Sequence, residues 1–197
     1  MKAQEICKKK KFSKKSSQKI IYKITIMPFS YKYSKICPKS PPQPSVGVGV
    51  FLINPLTERL LIGKRKEGKY GLPGGWLELT EDWGECASRE LWEETNVLKQ
   101  PYTFRHIHTL NCRQLENNSH TISCVMYNEV EPHEVEKIRN REPHKCYGWK
   151  WVTIKSMREN IDKLFYPLKL FLTKFPNINK VSDFKTMIKV FLVKNTL

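Results

Sequence analysis

Residues 83–95 constrain the fold of this chain most, because they predict an amphipathic helix with an unusual number of acidic side chains. Asp82 is a favourable N-cap, and Glu85, three residues later, completes a capping box that satisfies free amides at the helix start. Beside the acidic positions, three apolar residues are expected to pack the helix onto a sheet: Ala87, Leu91 and Leu98.

Three carboxylates of this helix share one side. At about 100° per residue, Glu93 lies about −60° and Glu94 about +40° from Glu90. Crowded carboxylates repel one another, and hard oxygen ligands of this kind favour Mg2+ or Mn2+ over zinc. The alternative is a solvated acidic face on which Arg89 and Glu93 form an ordinary i,i+4 ion pair. That alternative does not explain the glycine pair at 74–75 just before the helix.

Short β-rich runs surround the helix and predict a single mixed α/β domain. The expected strands are 46–53, 59–65, 102–113, 120–130 and 149–152. Val181, Phe184, Ile188 and Phe191 recur at helical spacing and predict a final amphipathic helix. We therefore divide the chain into a basic, proline-containing leader (1–44), a catalytic-type domain (45–175) and a C-terminal helix (176–197).

The positive charge is concentrated in the leader. The chain has a net charge of +16, and residues 1–45 hold twelve lysines against one acid, Glu5. Such a leader could contact RNA or act as a nuclear address, or it could be a solvated tail; a translation start at Met27 is a further alternative. No apolar run is long enough to span a membrane, and the six cysteines lack metal-site spacing, so we expect a cytoplasmic protein with reduced thiols.

The acidic helix and the residues before it resemble the Nudix box, Gly-x5-Glu-x7-Arg-Glu-U-x-Glu-Glu-x-Gly-U, where U is apolar. Eight of nine defined positions match, and the ninth, Asn96, replaces a glycine. Asn is the next-best residue for a left-handed helix end. The matching positions are Gly75, Glu81, Arg89, Glu90, Leu91, Glu93, Glu94 and Val97.

The resemblance extends beyond the box, over roughly residues 45–172. Residues 60–66 and 72–75 are similar to the MutT-like nucleotide diphosphatases, and residues 142–151 and 164–168 to their thiopurine-nucleotide branch. This resemblance implies a Nudix fold, with a mixed β-sheet between helices (α/β/α), and hydrolysis of a nucleoside diphosphate linked to another group. We expect Trp149 and Trp151 to be structural.

The resemblance also implies roles for individual residues. Glu90, Glu93 and Glu94, with the Gly74 carbonyl, are the implied Mg2+ ligands, and Mn2+ could substitute. Glu90 or Glu93 is the implied general base, and Arg89 orients a carboxylate. The implied substrate-binding residues are Arg65 for the phosphate tail, Gly74 and Gly75 in the loop, and Tyr166 and Leu168 around the base; Phe165 lies in the same region but is expected to pack in the core.

The leading functional hypothesis is a Mg2+-dependent enzyme that cleaves nucleoside triphosphates, including modified purines such as 8-oxo-dGTP, to the monophosphate and pyrophosphate. The alternatives are a dinucleotide pyrophosphatase acting on NADH or ADP-ribose, an RNA decapping enzyme, and a nucleotide-sensing module without turnover. A homodimer is a further implication of the resemblance.

Overall fold

The computed structural model describes residues 44–194, without the side chains of Asn117 and of residues 189–194. Residues 1–43 of the predicted leader and the side chain of Phe191 therefore lie outside this description. The strands are β1 (Ser45–Asn54), β2 (Arg59–Arg65), β3 (Tyr70–Gly71), β4 (Arg105–Gln114), β5 (Ser119–Glu129) and β6 (Cys146–Val152). The helices are α1 (Trp83–Thr95), α2 (Pro132–Val135), α3 (Ile154–Glu159), α4 (Tyr166–Lys174) and α5 (Val181–Lys194).

The described strands form one mixed sheet in the order β3-β2-β1-β5-β4, with β6 paired to β2. The β1–β5 pair is parallel, with Gly47 opposite Ser123 and Gly49 opposite Val125. The other strand pairs are antiparallel. Since β1 runs through the middle of the sheet, both of its faces must be covered.

Helices cover both faces of the sheet, and β1 shows how. Val50 and Leu52 point to the face that packs against α1, while Phe51 and Ile53 point to the face covered by α3, α4 and α5. All four side chains are fully buried. The predicted mixed sheet between helices is confirmed. None of the described helices is long and apolar enough to span a membrane.

The C-terminal helix α5 shares the core of the preceding domain. The Phe184 ring lies 4.6 Å from the ring of Phe51 and 5.6 Å from that of Phe171, between centroids. Arg158 also donates hydrogen bonds to the carbonyls of Phe175 at 2.6 Å and Ile178 at 2.7 Å, which fixes the turn into α5. The boundary that we placed between residues 175 and 176 therefore does not separate two cores.

The predicted bounds and capping of α1 are confirmed. Asp82 and Glu85 form the capping box, and Asn96 ends the helix in the left-handed conformation, with φ of 66°. The prediction that Leu98 packs against the sheet is wrong, because its side chain is 63% exposed. The left-handed turn at Asn96 breaks the helical phase, so Val97 is buried instead.

Several short elements had no clear sequence signal. The two-residue strand β3 and the helices α2, α3 and α4 are too short to show a periodic pattern. Strand β4 begins at Arg105 rather than at residue 102, because Pro101 starts a 3-10 turn through Thr103.

Candidate active site

The loop before α1 lies against β1 and carries the two glycines of the motif. Val50 donates its amide to the Pro73 carbonyl, and Val48 donates to the Gly75 carbonyl, both at 2.8 Å. Gly74 has φ of 145°, and a Cβ added there would clash with the backbone carbonyl of Val48. A Cβ on Gly75 would clash with the carboxylate of Glu90. The loop thus requires glycine at position 74, whereas a Cβ at position 75 would displace the Glu90 carboxylate.

Two α1 carboxylates face this loop: Glu90, which is buried, and Glu94, which is half-buried. Glu94 contacts the loop backbone directly. Its Oε2 accepts a hydrogen bond from the Gly74 amide at 2.9 Å. Burial raises the pKa of Glu94 to about 8, and the nearby charges of Glu90 and Glu142 act in the same direction. Burial also raises the pKa of Glu90, although its contact with Arg89 opposes the shift. A site that buries such carboxylates together favours a compensating cation.

Arg89 organises the other acidic side chains of the motif. It donates to both oxygens of Glu81, at 2.6 and 2.9 Å, and to the Trp76 carbonyl at 3.0 Å. It also donates to Glu90 at 2.7 Å and, more weakly, to Glu93 at 3.3 Å. The hydrogen bonds from Arg89 lower the pKa of the Glu81 carboxyl to about 2. Arg89 therefore contacts both the loop and the carboxylate of Glu90.

One acidic residue of the site was missed by sequence reasoning. Glu142 lies in the segment before β6. Its Oε1 accepts a hydrogen bond from Lys145 Nζ at 2.8 Å and forms an ion pair with it. Its Oε2 is buried and has no hydrogen-bond partner among the described residues. The Glu142–Pro143 pair was part of the flanking resemblance, but only the fold brings this carboxylate near Glu94.

A cavity of about 610 Å³ joins these groups to an apolar pocket. At one end are the carboxylates of Glu90 and Glu94 with the side chains of Arg65 and Lys145. A second part of the lining comes from the segment that begins α4: Phe165, Tyr166, Pro167 and Leu168. The floor is the sheet face of β4 and β5, which contributes small and polar side chains: Cys112, Gln114, Ser119, Thr121 and Ser123.

The structure brings most of the predicted site residues to this cavity. Gly74 and Gly75 line it, and the Arg65 guanidinium lies over the Phe165 ring, 4.6 Å from the centroid. Tyr166 lines the cavity and donates its hydroxyl to the Arg113 carbonyl at 3.3 Å.

Two other predicted site residues are placed differently, whereas the two tryptophans of β6 pack structurally, as expected. Glu93 is outside the cavity lining, with a side chain that is 41% exposed. Leu168 lines the cavity but is also almost fully buried in the core. Trp149 and Trp151 pack on the α1 side of the sheet, where the Trp149 indole donates to the Glu94 carbonyl at 3.0 Å.

The acidic side chains of this site suit a hard divalent cation, although they do not point to one common position. Within residues 44–194, no group of three or more His, Cys, Asp or Glu side chains is close enough together to hold a metal ion. Even so, the carboxylates of Glu90 and Glu94 line one cavity. The partnerless Glu142 oxygen belongs to the neighbouring segment, in which the Arg141 amide donates to the Glu94 carbonyl at 3.2 Å. Carboxylate oxygens are the ligands that Mg2+ and Mn2+ prefer. The residues present therefore fit such an ion.

Metal-free protein should lose stability as the pH rises. Because the folded-state pKa of Glu94, about 8, lies above the ordinary value of 4.5, its contribution is complete below about pH 4.5 and is lost as the pH passes 8. We expect the free energy of unfolding in EDTA to fall by on the order of 3 kcal/mol between pH 5 and 8. Urea denaturation measures it. An equally steep fall in Glu94→Gln would contradict the assignment.

Comparison with known proteins agrees with this fold. The NUDIX domain model matches residues 43–172, about two thirds of the chain. The chain therefore belongs to the Nudix family, and the family resemblance of its motif is confirmed.

Solved structures with the same fold have low sequence identity. MutT protein from Methanosarcina mazei Go1 is 22% identical with a TM-score of 0.55, over 71% of this chain and 99% of that one. The NUDIX domain of Shewanella oneidensis NrtR, complexed with ADP ribose, is 17% identical with a TM-score of 0.52, over 68% and 86%.

A third similar structure is a longer protein. It is a bifunctional NMN adenylyltransferase/ADP ribose pyrophosphatase from Francisella tularensis, complexed with AMP and a Mn ion. The identity is 21% and the TM-score 0.54, over 67% of this chain but 42% of that protein. This chain thus spans less than half the length of that protein.

Proposed function

We propose that this protein is a Mg2+-dependent Nudix hydrolase that cleaves nucleoside triphosphates to the monophosphate and pyrophosphate. The observation that carries the proposal is the single cavity that joins buried carboxylates and two cationic side chains to an aromatic wall. Cations and a metal suit a polyphosphate, while an aromatic wall suits a base. The thiopurine-type resemblance of residues 142–151 and 164–168 supports a purine, including a modified one such as 8-oxo-dGTP.

In this proposal the phosphate tail lies at the carboxylate end of the cavity. Arg65 offers a planar donor fork to phosphate oxygens, and Lys145 adds a second positive charge. Glu90 and Glu94 would hold Mg2+ with the Gly74 carbonyl, and Glu142 would add negative charge nearby. When bound, such an ion would neutralise phosphate charge and would lower the pKa of the attacking water.

The reaction itself is attack of water on phosphorus, with rupture of the phosphoanhydride bond and departure of pyrophosphate. The attacking water loses its proton to a carboxylate. Glu90 suits this role better than Glu93, because Glu90 lines the cavity whereas Glu93 faces outward. Arg89 is a positioning residue, which acts by holding Glu90 and the loop.

A second candidate substrate class is a dinucleotide such as ADP-ribose or NADH. One of the similar structures is complexed with ADP ribose, and another is that of an ADP ribose pyrophosphatase. RNA decapping and nucleotide sensing without turnover are the remaining alternatives. A single substrate panel can distinguish all of these functions. A homodimer remains a prediction.

Product analysis on a substrate panel tests the proposal. The panel holds dGTP, 8-oxo-dGTP, dCTP, NADH, ADP-ribose and capped RNA, each with and without Mg2+. We expect Mg2+-dependent release of monophosphate and pyrophosphate, with purines preferred. Turnover confined to NADH, ADP-ribose or capped RNA would replace the substrate assignment, and binding without turnover of any compound would favour a sensor.

Arg65 provides a test of phosphate recognition. Arg65→Lys keeps the charge but loses the planar fork and the stacking on Phe165. We expect kcat/KM for the preferred triphosphate to fall about tenfold. The matched control is Arg59→Lys, at the exposed start of the same strand. Equal activity of the two variants would remove Arg65 from the binding site.

A further inference from the structure

Trp76, immediately after the glycine pair, has an unusually well-fixed backbone. It forms an antiparallel bridge with Gly47 of β1. Its carbonyl accepts hydrogen bonds from the Arg89 guanidinium at 3.0 Å and from the Cys86 thiol at 3.4 Å. The backbone position of this residue is therefore set by the same network that organises the carboxylates.

The indole of Trp76 is nevertheless largely open to solvent. Its side chain is 58% exposed and lines the cavity, although two atoms of its six-membered ring lie against Gly47. Two other large apolar residues nearby are exposed without lining the cavity: Leu79 and Trp83. The Trp83 ring is tilted against that of His106, with 4.6 Å between centroids. An aromatic ring held on a cavity wall by a fixed backbone loses little entropy when a planar ligand stacks on it.

The register of the sheet places a polar floor beside this ring. Gly47, under the indole, pairs with Ser123 of β5, and Thr121 follows two residues away on the same face. Tyr166 reaches β4, where its hydroxyl contacts the Arg113 carbonyl. Since β5 lies between β1 and β4, these two strands are about 10 Å apart. Leu110 is the β4 residue level with Gly47, so Arg113 lies three residues further along the strand. That separation leaves room for a planar ring between them.

We propose that Trp76 is a specificity-determining residue whose indole forms the β1-side wall for the substrate's planar base, opposite Tyr166. The proposal rests on the function proposed above and adds the requirement that the preferred substrate carry an aromatic base. A ligand with the same phosphate tail but no base gains nothing from Trp76.

The test compares Trp76→Leu with Trp83→Leu in the full-length protein. For Trp76→Leu we expect KM for the preferred purine triphosphate to rise about tenfold, with a smaller effect on kcat. The inhibition constant of inorganic tripolyphosphate, which has no base, should stay within about twofold. Trp83→Leu should leave both constants near wild type.

Three results would overturn the proposal: an unchanged KM, an equal loss of tripolyphosphate binding, or the same loss in Trp83→Leu. Binding is measured separately from turnover, by quenching of indole fluorescence with GTP and ADP-ribose. If no triphosphate is hydrolysed, the proposed function fails, but weaker binding of either nucleotide to Trp76→Leu still supports the role of the indole. Absence of saturable binding by both nucleotides to the wild type would overturn it.

Discussion

Replacing Glu94 by Gln is expected to lower Mg2+-dependent turnover about 1,000-fold, because the variant loses a charged oxygen at the buried end of the cavity. The same variant should be at least as stable as the wild type in EDTA at pH 8. Gln keeps the shape of the side chain and can still accept a hydrogen bond from the Gly74 amide. It also removes a negative charge that burial disfavours. Steady-state kinetics and thermal unfolding measure the two effects.

Glu93→Gln is the matched control for this experiment. Glu93 precedes Glu94 on α1, carries the same side chain and lies outside the cavity lining. Its replacement should reduce turnover by less than about tenfold, by loosening Arg89. Near-normal turnover of Glu94→Gln, or equal losses in both variants, would contradict the assignment of Glu94 as the principal Mg2+ ligand.

Gly74→Ala is expected to destabilise the protein by about 3 kcal/mol or more and to abolish turnover. The new Cβ would meet the carbonyl of Val48, which belongs to the central strand and cannot move without disturbing β5. The φ of 145° at Gly74 adds backbone strain that Ala cannot relieve. Urea denaturation measures the loss.

Gly68→Ala separates the clash from the strain. Gly68 also has positive φ, 87°, but a Cβ there would meet nothing within 4 Å. We expect a cost of about 1 kcal/mol and full turnover. If Gly74→Ala proves no less stable than Gly68→Ala, the close approach of the loop to β1 is not a requirement of the fold.

Local chemistry explains which features could be predicted from the sequence. The bounds of α1 follow from Asp82, Glu85 and Asn96, all within or next to the helix. The placement of Glu90 and Glu94 on one side needs only helical geometry. Leu98 was misplaced because the left-handed turn at Asn96 redirects the chain, a change that helical spacing does not anticipate.

The rest of the site depends on contacts between distant segments. Glu142 reaches Glu94 only because β6 pairs with β2, and the polar floor exists only because β5 runs parallel to β1. Trp76 shows no pattern in the sequence that distinguishes it from the exposed Leu79. Its role emerges from the bridge to Gly47, which has no side chain to displace the indole.

The unit of folding in this protein is longer than the segment by which its family is known. The family match ends at residue 172, yet Phe184 contacts Phe51 in the central strand and Phe171 beside the cavity. A fragment cut at that point would expose both rings to water and leave Arg158 without two of its carbonyl partners, at 175 and 178. The segment that defines the family and the segment that completes the hydrophobic core thus end at different residues.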